Sequence, residues 1–281
     1  MKNRMLQILL LSMLFLSCKK SSNSTSETVN SGSDSFFKIT AHTDSGLSSF
    51  DRKIVVFDID IYAAPGVAAT KMLHAAHVMA QYLDNDEDGT VDDPLVHASM
   101  KQNKAFLVMW AQESDLNIEP PEDRIGQDLG NDETQPNFVS NGKTGTFDAA
   151  LEEVLHLING AGHSFAYPEA FGQDQTSELA KAMDIARGGT FLEIPASYPE
   201  DAWYTYDDES CDYESCQTIE YLYWALTSLL GAQENRTHEI GHEWKLHTPA
   251  LVESTDTAIF QLLTNPQYKM PTVLPDGSYQ Q

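Results

Sequence analysis

Three short stretches of this 281-residue chain bring acids and histidines to spacings that chemistry can use. In residues 148–158, DAALEEVLHLI, Glu152 and His156 stand four apart and share a helical face, with Glu153 beside them as a candidate general base. Ala149, Leu151, Val154, Leu155, Leu157 and Ile158 make that helix a buried one, where two carboxylates and an imidazole are costly unless paired or metal-bound. In residues 238–242, HEIGH, His238 and His242 repeat the i,i+4 spacing, so that a helix could present both to zinc with Glu239 acting on a metal-bound water. In residues 84–93, DNDEDGTVDD, the carboxylates of Asp84, Asp86 and Asp88 can converge on one hard cation. Gly89 permits the sharp turn there, and the Thr90 backbone carbonyl supplies a further oxygen.

The aspartate string resembles the first half of an EF-hand loop. Leu95 occupies the position of the EF-hand's closing Glu, so the string is closer to the short D-x-D-x-D-G-x-x-x-E loops of extracellular calcium modules, which implies Asp93 as closing ligand. Held between a helix and a strand, such a loop would brace the fold rather than sense calcium. HEIGH resembles the zincin metallopeptidase signature, but Glu234-Asn235-Arg236 precedes it, Glu243 follows it and Gly241 weakens the helix, so a solvated turn stands beside the metal site as an alternative. The 148–158 helix resembles the same signature with Glu for the first His, and the likeness extends to about residue 189. In the gluzincin branch a third ligand Glu lies on a following helix, and Glu178 in TSELAKAMDIARGG resembles it. His163 is the alternative, by likeness to the later His of metzincins.

The resemblance implies a metallohydrolase acting on a peptide or protein. Glu152, His156 and Glu178 would hold zinc, or another divalent metal suited to an oxygen-rich set, and Glu153 would take a proton from water. The other reading of these residues leaves Glu152 and Glu153 facing water around an ordinary helix histidine.

The elements that must position these groups follow from periodicity. Residues 53–62, KIVVFDIDIY, alternate as one half-buried strand, with Phe57, Ile59 and Ile61 on one face; AFLVMW at 105–110 reads as a second strand. Helices are expected over 66–83, 148–158 (stopped by Asn159-Gly160), 177–187, 217–230 and 249–263. His74 and His77 are expected on the polar face of the first. Strands early and helices dominant make the class α+β, a single mainly helical domain with a small early sheet, zincin-like by resemblance.

Residues 1–17 carry Lys2, Arg4 and an apolar run too short to span a bilayer, and Leu16-Ser17-Cys18 resembles a bacterial lipobox. That implies a cleaved signal peptide and a lipidated Cys18. Residues 18–35 then form a Ser-rich tether, and residues 36–281 one globular domain held to a bacterial membrane by its lipid, facing the periplasm or the cell surface. Export favours a short-loop disulfide between Cys211 and Cys216. A net charge of −25 excludes nucleic acid as the main partner and suits divalent cations. No phosphate-cradling glycine loop is present. Much of the aromatic-acidic stretch 198–224 is expected in the core, but it could also grip a glycan or protein, which leaves a non-catalytic calcium-binding surface lipoprotein as the alternative function.

Overall fold

The computed structural model describes residues 34–116 and 122–281; Cys18, the signal segment and nearly all of the tether lie outside the described residues. The class is α+β. A five-stranded sheet runs in the order β1 (Thr40–Ala41), β2 (Arg52–Val56), β3 (Ile59–Ala63), β4 (Phe106–Trp110), β5 (Gly126–Gly130). The first three strands are antiparallel neighbours, and β3, β4 and β5 are parallel.

The stretch expected as one strand is a hairpin. Phe57 and Asp58 both take positive φ (46° and 64°), and Val56 pairs with Ile59 across them. This is the left-handed two-residue turn whose twist suits paired strands. Ile54 and Val56 on one side of the turn and Ile59 and Ile61 on the other are all buried, so the inward phase slips by one residue at the turn. Continuous alternation over 57–61 hides that slip.

Helix α1 (Ala69–Leu83) starts after the Pro65-Gly66 turn, three residues later than expected. The aspartate loop follows, and then α2 (Pro94–Gln102), with Pro94 in its first turn and Asp93 as its cap. The loop is thus set between two helices, not between a helix and a strand. Helix α3 (Ala150–Ile158) does not stop at Asn159-Gly160. It widens into a π turn over Asn159–His163 and continues as the short α4 (Ser164–Ala166) and α5 (Pro168–Phe171). Helix α6 (Glu178–Arg187) has the expected bounds, capped by Ser177 and ended by Gly188 at φ 74°. A second π turn, Tyr213–Gln217, leads into α7 (Thr218–Leu229), and HEIGH contributes only the single turn α8 (Thr237–Ile240). The last helix divides into α9 (Pro249–Thr255) and α10 (Thr257–Leu263) because the Asp256 side chain caps the second piece.

Helix α3 packs against α1, β5 and α7, and α1 also lies on β2 and β3. The Cys211–Cys216 disulfide, Cα atoms 5.3 Å apart, closes the loop before α7. Among the described residues no helix is long and apolar enough to cross a membrane.

Candidate metal centre

All nine residues of α3 are buried, its two glutamates and its histidine included. The i,i+4 spacing puts Glu152 and His156 on one face, and α7 brings Glu220 against them. One ligand atom from each of Glu152, His156 and Glu220 lies within 4.8 Å of the other two. His156 Nε2 is 3.6 Å from Glu220 Oε2 and has no hydrogen-bond partner, while Nδ1 is 3.4 Å from Glu153 Oε2. The Tyr223 ring packs edge-on against the imidazole, with centroids 5.5 Å apart. The free nitrogen is the one that faces Glu220.

The electrostatics point the same way. Burial, and then repulsion from Glu153, push Glu152 up to about 7, against the pull of His156, Arg236 and Tyr223. Burial, Glu152 and Glu243 hold Glu220 well above the usual carboxylate range. Glu153 is raised by burial and by Asp128 and Glu133, against the Gln127 amide that donates to its Oε2 at 2.6 Å. Burial pushes Glu243 up to about 8, although the Trp224 indole donates to it at 2.8 Å. Burial also lowers His156 below the usual imidazole value, so the ring is a neutral ligand type. Four carboxylates thus press together around one neutral histidine, with Arg236 as the cation that offsets them. A cation on the face shared by Glu152, His156 and Glu220 would relieve both the repulsion and the orphaned Nε2. The donor chemistry fits a divalent metal.

Several expectations are corrected. Glu178 opens α6 as an exposed residue and does not join the group; Glu220 takes the third position, also on a following helix. His163 is buried at the end of the π turn, packed on Phe171 and pushed down to about 4 by burial, and it belongs to no metal-ligating group among the described residues. In HEIGH, His238 is 78% exposed, and Glu239 pairs with Arg236 at 3.0 Å instead of standing between two ligands. His242 is also exposed, because one helical turn buries only Ile240. The segment instead supplies Arg236 and Glu243 to the surroundings of the centre. His74 is not on the surface either: it is buried 2.6 Å from Asp148. His77 bonds Asp34 at 2.8 Å. In the aromatic stretch, Tyr204, Tyr206, Tyr213, Tyr221, Tyr223 and Trp224 are core, the outcome expected for much of it, and little is left to line a groove.

Sequence reasoning missed Glu220. Its signal was present: one acid within TIEYLYWALTSL, a run otherwise too apolar to face water, one turn from Trp224 on the same face.

In the aspartate loop, Asp84, Asp86 and Asp88 do converge. Asp84 accepts from the Asp88 and Gly89 amides, and Asp88 from the Thr90 amide. Asp93 is not the closing ligand: one oxygen caps α2 through the Leu95 and Val96 amides and the other accepts from the Tyr167 hydroxyl. Asp92 faces the loop instead, bonded to the Asn85 amide and raised by burial and by Asp86, Asp84 and Asp88. The C-terminal segment wraps this loop. Tyr279 donates to Asp84, the Asn85 amide oxygen accepts from the Thr272 and Val273 amides, and Glu87 accepts from the Gln280 amide.

No family model, curated protein or solved structure matches the chain.

Proposed function

We propose that the chain is a calcium-braced, metal-dependent hydrolase, with peptide bonds as its substrate class, held to a bacterial membrane by a lipid on Cys18 and facing the periplasm or the cell surface. The supporting observation is the buried convergence of Glu152, His156 and Glu220 with His156 Nε2 unpartnered. A divalent ion held by those three residues, zinc or another transition metal, supplies Lewis acidity that polarises a carbonyl and makes water a nucleophile near neutral pH.

The chain's own residues would do the rest. Glu153 is next to Glu152 along the helix, and both of its side-chain contacts use Oε2, which leaves Oε1 to take a proton. Its raised proton affinity suits the later return of that proton to a leaving amine. Gln127 on β5 holds Glu153 in place, so the edge of the sheet and the reacting helix are coupled. Asp84, Asp86, Asp88, Asp92 and the Thr90 carbonyl would hold calcium.

A second reading is a calcium-binding lipoprotein whose α3–α7 ion is purely structural. What favours it is the near closure of the centre, where Glu152, His156 and Glu220 are each less than a tenth exposed. Metal content and hydrolysis of a mixed peptide library separate the two. Under the first reading the soluble chain carries one transition metal, lost in His156→Ala and in Glu220→Gln but kept in Glu178→Gln and His242→Ala. Glu153→Gln would keep the metal and lose hydrolysis. Metal without hydrolysis in the native chain would leave the structural reading, and hydrolysis surviving Glu153→Gln would refute the assigned role of Glu153.

A further inference from the structure

Among the described residues, eight buried side-chain polar atoms have no hydrogen-bond partner. Four of them fall on the two helical stripes that meet at the centre: His156 Nε2, both amide atoms of Asn159, and Gln217 Oε1. Glu152, His156 and Asn159 follow one another at i, i+4 and i+7, one face of a continuous helix. The rotation carries through Asn159, whose backbone is still helical at φ −71° and ψ −50°. On the facing element Gln217 and Glu220 stand at i and i+3. The two segments touch just beyond Asn159, where a Cβ added to Gly160 would meet Ile219 Cδ1 at 3.4 Å.

An asparagine 4% exposed, with neither amide atom satisfied, is an expensive residue to bury. Each unmet group forfeits the water it had in the unfolded chain, whereas a leucine would pack there without that cost. Its oxygen calls for a cation or a donor and its nitrogen for an acceptor. One turn back on the same face stand an orphaned imidazole nitrogen and a crowd of carboxylates. The π turn that begins at Asn159 is the kind of local widening that often accompanies a functional site.

We infer that Asn159 is the fourth protein group of the centre, placing its Oδ1 on the ion with Glu152, His156 and Glu220 and its Nδ2 on a neighbouring carboxylate. This rests on the reading of that cluster as a metal centre and adds the class of ion it takes. Three oxygen donors and one nitrogen suit an oxygen-preferring divalent ion such as Mn2+, whereas zinc sites are dominated by nitrogen and sulfur donors.

The test is titration of the chelated, full mature chain with Mn2+ and with Zn2+, followed by calorimetry and thermal unfolding, for the native protein, Asn159→Leu and Asn159→Asp. Asn159→Leu should weaken Mn2+ binding by at least about tenfold and weaken Zn2+ less, because three ligands and water already complete a tetrahedral site. Asn159→Asp, which keeps an oxygen donor, should retain Mn2+ and keeps the test valid if the leucine variant does not fold. Unchanged Mn2+ affinity in folded Asn159→Leu, or loss of Mn2+ in folded Asn159→Asp, would overturn the inference while leaving the three-residue centre intact. Absence of binding by the native chain would overturn both.

Discussion

The sharpest consequence of the buried carboxylates is that removing one should stabilise the metal-free protein. Glu152 is pushed up to about 7 from the ordinary 4.5 of a glutamate, by burial first and Glu153 second. A group whose folded pKa lies above its unfolded value carries stability that is fully present below about 4.5 and is lost as the pH rises through about 7. The shift amounts to about 3 kcal/mol at pH 8, at roughly 1.4 kcal/mol per unit. Glu152→Gln removes the ionisation and keeps the shape. In chelator at pH 8 the variant should therefore unfold about 6–12 °C above the native chain, since about 1 kcal/mol moves a domain of this size by 2–4 °C. At pH 4.5 the two should coincide. Metal at about 1,000 times Kd should reverse the order, because only the native chain keeps its full ligand set and that excess adds about 4 kcal/mol. Differential scanning calorimetry at pH 4.5 and pH 8, with and without metal, reads all four states. If chelated Glu152→Gln were no more stable than native at pH 8, Glu152 would not be a buried charge there, and the electrostatic case for the centre would fall.

Two further expectations bear on the parts that hold the centre in place. Chelation of calcium should lower the melting temperature and make residues 270–281 cleavable by carboxypeptidase, because Asp84 and Asn85 bond that segment directly; protection that is indifferent to calcium would dissociate the loop from the tail. Asp93→Asn should leave calcium affinity unchanged, as the residue caps α2, while His74→Ala should cost about 3 kcal/mol in urea unfolding by leaving Asp148 buried without its partner. A calcium-affinity loss in the first variant or a cost near zero in the second would contradict those placements.

What the sequence carried plainly was local. The α+β class, the strand at Phe106–Trp110, the capped helix Glu178–Arg187, the disulfide and the convergence of Asp84, Asp86 and Asp88 are all short-range patterns of cap, turn or spacing. The burial of Glu152, Glu153 and His156 was legible too, because their neighbours left the helix no polar face. The third ligand was not legible, since which later acid meets α3 depends on how α6 and α7 pack. Resemblance points to Glu178, an exposed first-turn acid, whereas burial points to Glu220, an acid in an apolar helix. Strand β5, Gly126–Gly130, has almost no β-forming composition and is held by its pairing with β4. HEIGH shows the converse: a literal motif whose flanks could not sustain a second helical turn.

The position of α1 argues that the proposed calcium acts by bracing the centre and not by switching it. Eleven of its fifteen residues are buried, so the helix has no free face on which to swing open as a sensor helix does. It grips α3 at two points: His74 holds Asp148, whose other oxygen accepts from the Ala150 amide at the start of α3, and the Tyr82 hydroxyl bonds the Leu151 carbonyl. Leu151 immediately precedes Glu152, and Leu83 immediately precedes the aspartate loop. Anything that frays the loop therefore loosens the helical turn that aims Glu152 and Glu153. A brace of this kind alters the affinity of the centre without altering its ligands. Chelating calcium or removing a loop carboxylate should weaken transition-metal binding indirectly, and added calcium should restore it in the chelated native chain but not in Asp84→Asn. A metal affinity identical with and without calcium would show instead that α1 is held in place by its own packing alone.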